Sequence, residues 1–377
     1  MSTDTPYRAI FCDLRDDTTI DILPLRDVTV DDYLGKAGSL SGTVPVPDAQ
    51  MAARVRRIEE GRTAVYLQRG NDLWWGGIIW TATLQSSDRG VLSLGIQAAT
   101  FESYAGRRRI RADLSFTDVD QLVVARRLWE HLQLGRFADE ADKPTVIGGN
   151  IGVTYGYETS GQMRSARYRD GDETVYLEAI DALAALDDGF EHHIAVYRDP
   201  ATGARVRRLR LGSPKIRTGT TDLVMDRPGT ILSYAFPRDA TRGGTTARAR
   251  GGSDNTNQAA ESRPVFADAD EAAALIAAGY PRIDLSSDHN ETTSAAVLKS
   301  LATAELAQAT GAVVIPAVSV RLDDLVPPAL LGRTVRIRIT DEWWTEGLDA
   351  RYRVIGVKVS PAQRGRPDTA ELYLEEA

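Results

Sequence analysis

The plainest pattern in the chain is alternation. GRTVRIRITDEW, Gly332 to Trp343, sets Val335, Ile337 and Ile339 against Arg336, Arg338 and Thr340. A backbone with a period of two puts those sets on opposite faces, so the segment is predicted to be a half-buried strand. ARYRVIGVKVS and TAELYLEEA follow it and predict a meander. Near the other end, YRAIFCDL and TTIDILPL read as strands around the polar turn Arg15-Asp16-Asp17, and GSLSGTVPV as a third. TAVYLQRGNDLWWGGIIWTATLQ predicts a hairpin turning at Gly70-Asn71-Asp72, with SSDRG and VLSLGIQAAT supplying the next turn and strand. Many short strands with tight turns suggest a barrel or sandwich.

Helical spacing enters between the strands. PDAQMAARVRRIEEG carries Met51, Val55 and Ile58 between Pro47-Asp48 and Gly61. SFTDVDQLVVARRLWEHLQLG sets Leu122, Ala125, Leu128, Trp129 and Leu132 on one face, with Thr117 or Asp118 as the expected cap. The Gly-rich GGNIGVTYGYETSG reads as loop and edge strand. In TVYLEAIDALAALDDG, Val175, Ala179, Leu183 and Leu186 form a stripe that Gly189 should stop. FEHHIAVYRDPATGARVRRLRLG is a hairpin around Asp199 to Gly203. DLVMDRPGTILSYAFPRD reads as two short strands around Pro228-Gly229. Residues Arg242 to Arg263 are the expected mobile excursion. Helices are predicted for DADEAAALIAAGYP and for TTSAAVLKSLATAELAQATG, the second capped among Thr292 to Ser294 and stopped at Gly311. No repeat recurs at a fixed period.

LWWGGIIWTATL, Leu73 to Leu84, stands apart because it holds three of the six tryptophans. As a strand it puts Trp74, Ile78, Trp80, Ala82 and Leu84 on one wholly apolar face. Leu73, Trp75, Gly77 and Ile79 make half of the other face apolar, ahead of Thr81 and Thr83. A strand apolar on both faces is covered on both. Trp74, Ile78 and Trp80 are therefore expected inside a barrel, and Trp75 and Ile79 beneath a neighbouring domain or subunit. Trp343 and Trp344, in DEWWTEG, are candidates for the same kind of contact. Stacking on sugars is the competing reading of both pairs.

Composition narrows the function classes. The 377 residues are 42% hydrophobic and 26% charged, an ordinary globular balance. No apolar run approaches the roughly 20 residues that span a bilayer. MSTDTPYRAIF lacks the basic and apolar regions of a secretory signal. Cys12 is the only cysteine, which excludes an intrachain disulfide and a cysteine-based metal site. The net charge of -8 argues against a dedicated binder of nucleic-acid phosphates. Lys36, Lys143, Lys215, Lys299 and Lys358 are the only lysines, an Arg bias that suggests a GC-rich genome.

The search for reactive chemistry is mostly negative. Gly35-Lys36 lacks the upstream glycine and the Ser or Thr of a phosphate loop, and no GxSxG or HExxH occurs. Ser253-Asp254-Asn255 copies one β-lactamase motif without its serine-lysine partner. His192 and His193 are adjacent, so a strand points them to opposite faces, one expected inward and one outward. Asp288, His289 and Glu291 group before a helix, where capping is the simpler role. Of Asp16-Asp17, Asp31-Asp32, Asp139-Glu140, Asp187-Asp188 and Asp323-Asp324, most are expected at the solvated surface. No catalytic, metal or cofactor-binding residue is assigned, and no cofactor is expected.

The order of elements carries a resemblance. Strands ending in Trp75-Gly76 lead to VLSLGIQAATFESYAGRRRI and then to FTDVDQLVVARRLWEHLQ. Later come DDGFEHHIAV, RPGTILSYAFPRDATRGGTTARARG and GYPRIDLSSDH before a long helix. Over about residues 7 to 375 the chain resembles minor tail proteins of long-tailed actinobacterial phages and prophages, a baseplate-hub family shared with contractile tails. The resemblance implies an α+β, mainly β fold: two tail-tube-like β-barrel domains, an α/β domain and a helical insert. The linear assignment is a first barrel over 1–115, with 213–240 a candidate to complete it. An α/β domain over 116–212 follows. The second barrel covers 213–377, with loop 242–263 and helical insert 266–311.

The resemblance further implies a non-enzymatic homotrimer at the distal tail tip of the virion, made in the host cytoplasm. Its six barrels would match a six-fold tube to a three-fold tip and line or close the DNA channel. The distal tail protein or tail tube would sit on one side, and spike, fibre or receptor-binding proteins on the other. DNA would pass without specific binding, and no membrane insertion is expected. The end at LYLEEA is read as a hub alone, which leaves receptor binding and wall cleavage to other proteins. A tail-associated cell-wall hydrolase and a carbohydrate-binding module are the alternatives.

Overall fold

The computed structural model describes residues 7–241, 243–253, 262–309, 313–314, 316–323, 325–362 and 366–377. The fold is α+β and mostly β. It divides into two compact units: one of Met1–Asp181, Phe190–Tyr234 and Ala317–Ala377, the other of Ala182–Gly189 and Ala235–Pro316.

The larger unit is organised by a 13-stranded sheet. Its N-terminal part runs in space as Arg26–Tyr33, Ser39–Val46, Leu92–Thr100, Asp72–Ser86, Thr63–Arg69, Tyr7–Asp13 and Thr19–Leu23. All of these pairs are antiparallel. The hairpin at Gly70-Asn71 and the turn over Ser87 to Gly90 lie where the local sequence sets them. The helix begun by Pro47-Asp48 is shorter than its apolar spacing suggests. Asp48 caps it by accepting from the Met51 amide at 2.7 Å, but it spans only Ala49–Val55.

The C-terminal strands continue the same sheet. Strand Leu348–Ser360 is 13 residues long and has two partners along one edge. Leu348 to Arg353 pair with Thr334 to Ile339, and Gly356 to Val359 pair with Val30 to Tyr33. Thr369–Glu376 takes the other edge. This strand is therefore a seam that hydrogen-bonds the C-terminal meander to the N-terminal strands. Strand Thr218–Arg227 joins the C-terminal side, in parallel with Arg333–Ile339. Val335, Ile337 and Ile339 are buried as their alternation requires.

An α/β portion packs within this unit. Helix Gln121–Leu134 ends at Gly135, whose φ of 72° satisfies a left-handed cap. Its N-cap is Asp120, not Thr117 or Asp118. SFTDVD is a strand, Leu114–Asp120, paired with Met163–Tyr168. Asp120 instead accepts from the amides of Leu122, Ser160 and Gly161. Helix Tyr176–Ala184 stops short of Gly189. The hairpin Glu191–Arg198 and Arg205–Gly212 forms around the expected turn at Asp199 to Gly203, with Val153–Thr154 added in parallel.

The smaller unit corrects one expectation. Residues 242–263 are not one excursion, because Thr246–Ser253 is the central strand between Pro264–Asp268 and Asp284–His289. Ala247 and Ala249 face helix Ala295–Ala309, packing with Ala269, Leu298, Ala302 and Leu306. Arg248 and Arg250 point outward to Asp268 and Asp288. Small apolar residues alternating with arginine therefore encode a strand under a close helix. Residues 254–261 and the Gly311 stop lie outside the described residues. Among the described residues, no helix is long and apolar enough to cross a membrane.

Candidate functional site

The Trp-Gly strand Asp72–Ser86 behaves as two halves. Leu73 to Ile79 are all buried, whereas Thr81 to Ser86 face solvent except for half-buried Ala82. The face carrying Gly76 and Ile78 meets the hairpin. A Cβ at Gly76 would lie 2.8 Å from the Tyr66 ring and 3.1 Å from Val196. Trp75, 2% exposed, faces the other way. Its indole N–H donates to the Asp31 carbonyl at 2.9 Å, and Val30, Leu331 and Val357 line the small void beside it. The cover over both faces is thus supplied within this chain. Trp74 stacks edge-on with Tyr7 at 5.3 Å and lies under Arg69, which pairs with Asp368.

Alternation fails twice. The pairing with Thr63–Arg69 shifts register at Trp74, which lines the same void as Trp75 instead of sharing the face of Gly76 and Ile78. The same happens at Trp80. The pairing with Leu92–Thr100 shifts register between Ile79 and Thr81, and such a bulge re-aims side chains. Trp80 is therefore half-buried rather than interior, with its N–H on Ser103 at 2.9 Å and Arg107 over its ring. Leu84, expected on a core face, is 67% exposed.

The hairpin is held by buried charge. Arg207 donates to the Tyr66 hydroxyl, the Leu14 carbonyl and Asp17, each at 2.7 Å, and also to the Ile151 carbonyl. Burial raises the Tyr66 phenol above its ordinary range, against the opposing charge of Arg207. Arg353, in the seam strand, is 1% exposed and pairs with Glu191 and Glu375. A buried guanidinium needs this full set of acceptors, since a missing one leaves desolvation uncompensated.

His192 and His193 do point to opposite faces, but neither points outward. They are 2% and 3% exposed, because the hairpin is covered on both sides. His192 Nε2 meets Asp181 at 2.8 Å, and His193 Nε2 meets both Asp32 oxygens at 3.1 Å. Glu102 accepts from the Ile194 amide beside them. Burial opposes the His193 charge, yet Asp32 and Glu102 hold the imidazole above its usual value, and burial pushes the Glu102 carboxyl up. Two carboxylates and an imidazole have the composition of an acid-base set. The void lined by Asp32 and Trp75 holds only about 10 Å³, too little for a substrate.

Trp343 and Trp344 sit in a turn after strand Arg333–Ile339. Asp341 fixes it by accepting from both of their amides at 3.0 Å and from the Tyr234 hydroxyl at 2.5 Å. Those bonds, the Tyr234 hydroxyl first, hold the Asp341 carboxyl below its usual range. Trp343 is 75% exposed and Trp344 is half-buried. His289 bonds Ser287 at 3.2 Å and lies 3.6 Å from Glu291. Among the described residues no group of three His, Cys, Asp or Glu is placed to hold a metal ion. Asp254 and Asn255 lie outside the described residues. What sequence reasoning missed is the partnering of Asp32 and Glu102 with His193. Only the burial of both hairpin faces, a tertiary fact, reveals it.

The architecture is a phage tail-protein fold along nearly its whole length. A 43 kDa tail protein of prophage MuSo2 from Shewanella oneidensis aligns over 98% of this chain and 98% of its own, with a TM-score of 0.57 at 10% identity. A tail protein from Neisseria meningitidis covers 98% of this chain and 96% of its own, with a TM-score of 0.56 at 12% identity. The prophage tail protein gp18 from Listeria monocytogenes covers 97% and 94%, with a TM-score of 0.52 at 13% identity. No protein-family profile and no curated protein matches the sequence.

Proposed function

We propose that this chain is a structural hub protein at the distal tip of a phage tail or phage-derived particle. The observation that carries the reading is end-to-end sharing of fold with prophage tail proteins, over 98% of both chains in one case. The seam strand adds physical sense. It fuses the N-terminal and C-terminal strands into one hydrogen-bonded sheet, braced by buried Arg207 and Arg353. A part that transmits force between a tube and a tip needs such rigidity more than it needs a reactive cleft.

On this reading the chain works as a homotrimer whose two strand regions repeat around a ring, matching a six-fold tube to a three-fold tip. The net charge of -8 favours a channel through which DNA slides, because carboxylates repel phosphate. Tail tube or distal tail protein would contact one side, and spike or fibre proteins the other. The reaction class is none. Light scattering on the purified chain, alone and with its tail partners, tests the assembly. A species of three times 41.1 kDa is expected. A monomer that stays single and joins no tail protein would overturn it.

The exposure of Trp343 favours a second reading, carbohydrate binding at that turn. A glycan array bound by the intact chain and lost with Trp343→Ala would support it.

A further inference from the structure

Gly106 to Arg111 reads GRRRIR, a local positive cluster in a chain of net charge -8. The structure turns it into the wall of a recess of about 450 Å³, lined by Arg107, Arg108, Arg109, Arg111, His131 and Tyr176. That volume lies in the range of small-molecule sites. Counter-charge reaches only part of the cluster. Arg111 takes Glu173 through two bonds of 3.0 and 3.1 Å, and Arg109 takes the Glu173 carbonyl at 2.8 Å. Arg107 lies over the Trp80 ring at 4.0 Å. Arg108 bonds the Tyr104 hydroxyl at 3.2 Å. Neither of these two has a carboxylate partner in an ion pair among the described residues.

His131 completes the wall. It is a buried residue whose Nδ1 lies 2.6 Å from the Tyr176 hydroxyl, while its Nε2 has no hydrogen bond within the chain. Burial pushes the Tyr176 phenol up to about 12, so it keeps its proton. When that proton is donated to Nδ1, Nε2 carries the ring N–H and is left to donate to a ligand. Arginines lining one recess with a neutral imidazole N–H donor suit an oxyanion with several acceptor oxygens.

We propose that this recess binds a phosphate monoester on a small organic group, gripped by Arg107 and Arg108 and oriented by His131. The site is independent of the hub reading and would serve a tail protein or any other. Sugar phosphates and nucleotides share this chemistry, and calorimetry separates them. The probes are glucose 1-phosphate, adenosine monophosphate and inorganic phosphate, titrated into the full chain at low salt. Saturable binding is expected, weakened about tenfold by Arg108→Gln and similarly by Arg107→Gln. Arg89→Gln, in an exposed turn, should leave it unchanged. Glu173→Gln frees Arg111 and should strengthen it, which tests the site without removing an arginine. Preference for glucose 1-phosphate assigns a sugar phosphate, and preference for the nucleotide assigns that class. No binding of any probe near 10 mM, or binding indifferent to Arg108→Gln and Glu173→Gln in folded protein, would overturn the site.

Discussion

Trp74-Trp75 and Trp343-Trp344 are the same dipeptide in two settings. The first lies in a strand with cover on both faces, and Trp75 is 2% exposed. The second lies in a turn pinned by Asp341, and Trp343 is 75% exposed. Side-chain identity is equal, so the backbone decides. In the first, the pairing with Thr63–Arg69 shifts register at Trp74, so Trp74 and Trp75 line one void together and a second layer packed over that face of the sheet buries both rings. A turn at the end of a strand offers no second layer. An adjacent aromatic pair therefore reports a surface only when its backbone has left the sheet.

The sharpest break of this comparison is Trp75→Ala. It removes a fully enclosed ring and its N–H bond to Asp31 and should cost about 3–5 kcal/mol in denaturant unfolding. A loss below about 1 kcal/mol would mean that the first pair is not core. Gly77→Ala probes the close approach that permits the ring. Its Cβ would sit 2.2 Å from the Ala99 carbonyl and 2.4 Å from Trp75. A cost of roughly 1–3 kcal/mol is expected, with a lowered melting midpoint.

Asp32→Asn tests the electrostatic layer beside Trp75. His193 is raised in the folded state, so its contribution is full below its unfolded pKa and fades as pH rises through the folded value. Glu102, also raised, acts in the same direction, since its folded form favours the proton. Facing groups are Asp32, Glu102 and Arg210, whose charge opposes the His193 proton. Stability should therefore fall as pH rises above the ordinary imidazole value of about 6.5, and Asp32→Asn should flatten that slope. An unchanged slope would remove His193 from the account. The smallest effect belongs to Trp343→Ala, expected within about 0.5 kcal/mol in stability while assembly or glycan binding changes. A large loss of stability would make the turn part of the core.

Much of this contrast is legible in the residues. Alternation places Val335, Ile337 and Ile339, and the two-sided apolarity of Leu73 to Ile79 correctly demands two layers of cover. It does not say who supplies them, because Val196 and Leu331 are distant in sequence. The bulge at Trp80 depends on register with Leu92–Thr100, which no local pattern states. Asp120 displaces Asp118 as cap because the preceding residues pair as a strand. ARARG reads as loop because alanine and glycine carry little hydrophobic signal, yet a close helix needs them small.

Strand Leu348–Ser360 also sets a schedule. Its partner Val30 to Tyr33 leaves the ribosome more than 300 residues earlier. Until the seam arrives, Arg26–Tyr33 offers an unpaired edge to any passing strand. Folding must thus wait on contacts of long sequence separation, which are slow to form. The edge of Arg26–Tyr33 is thus hidden only once residues 356–359 have been made, and any product cut short before them exposes it to aggregation.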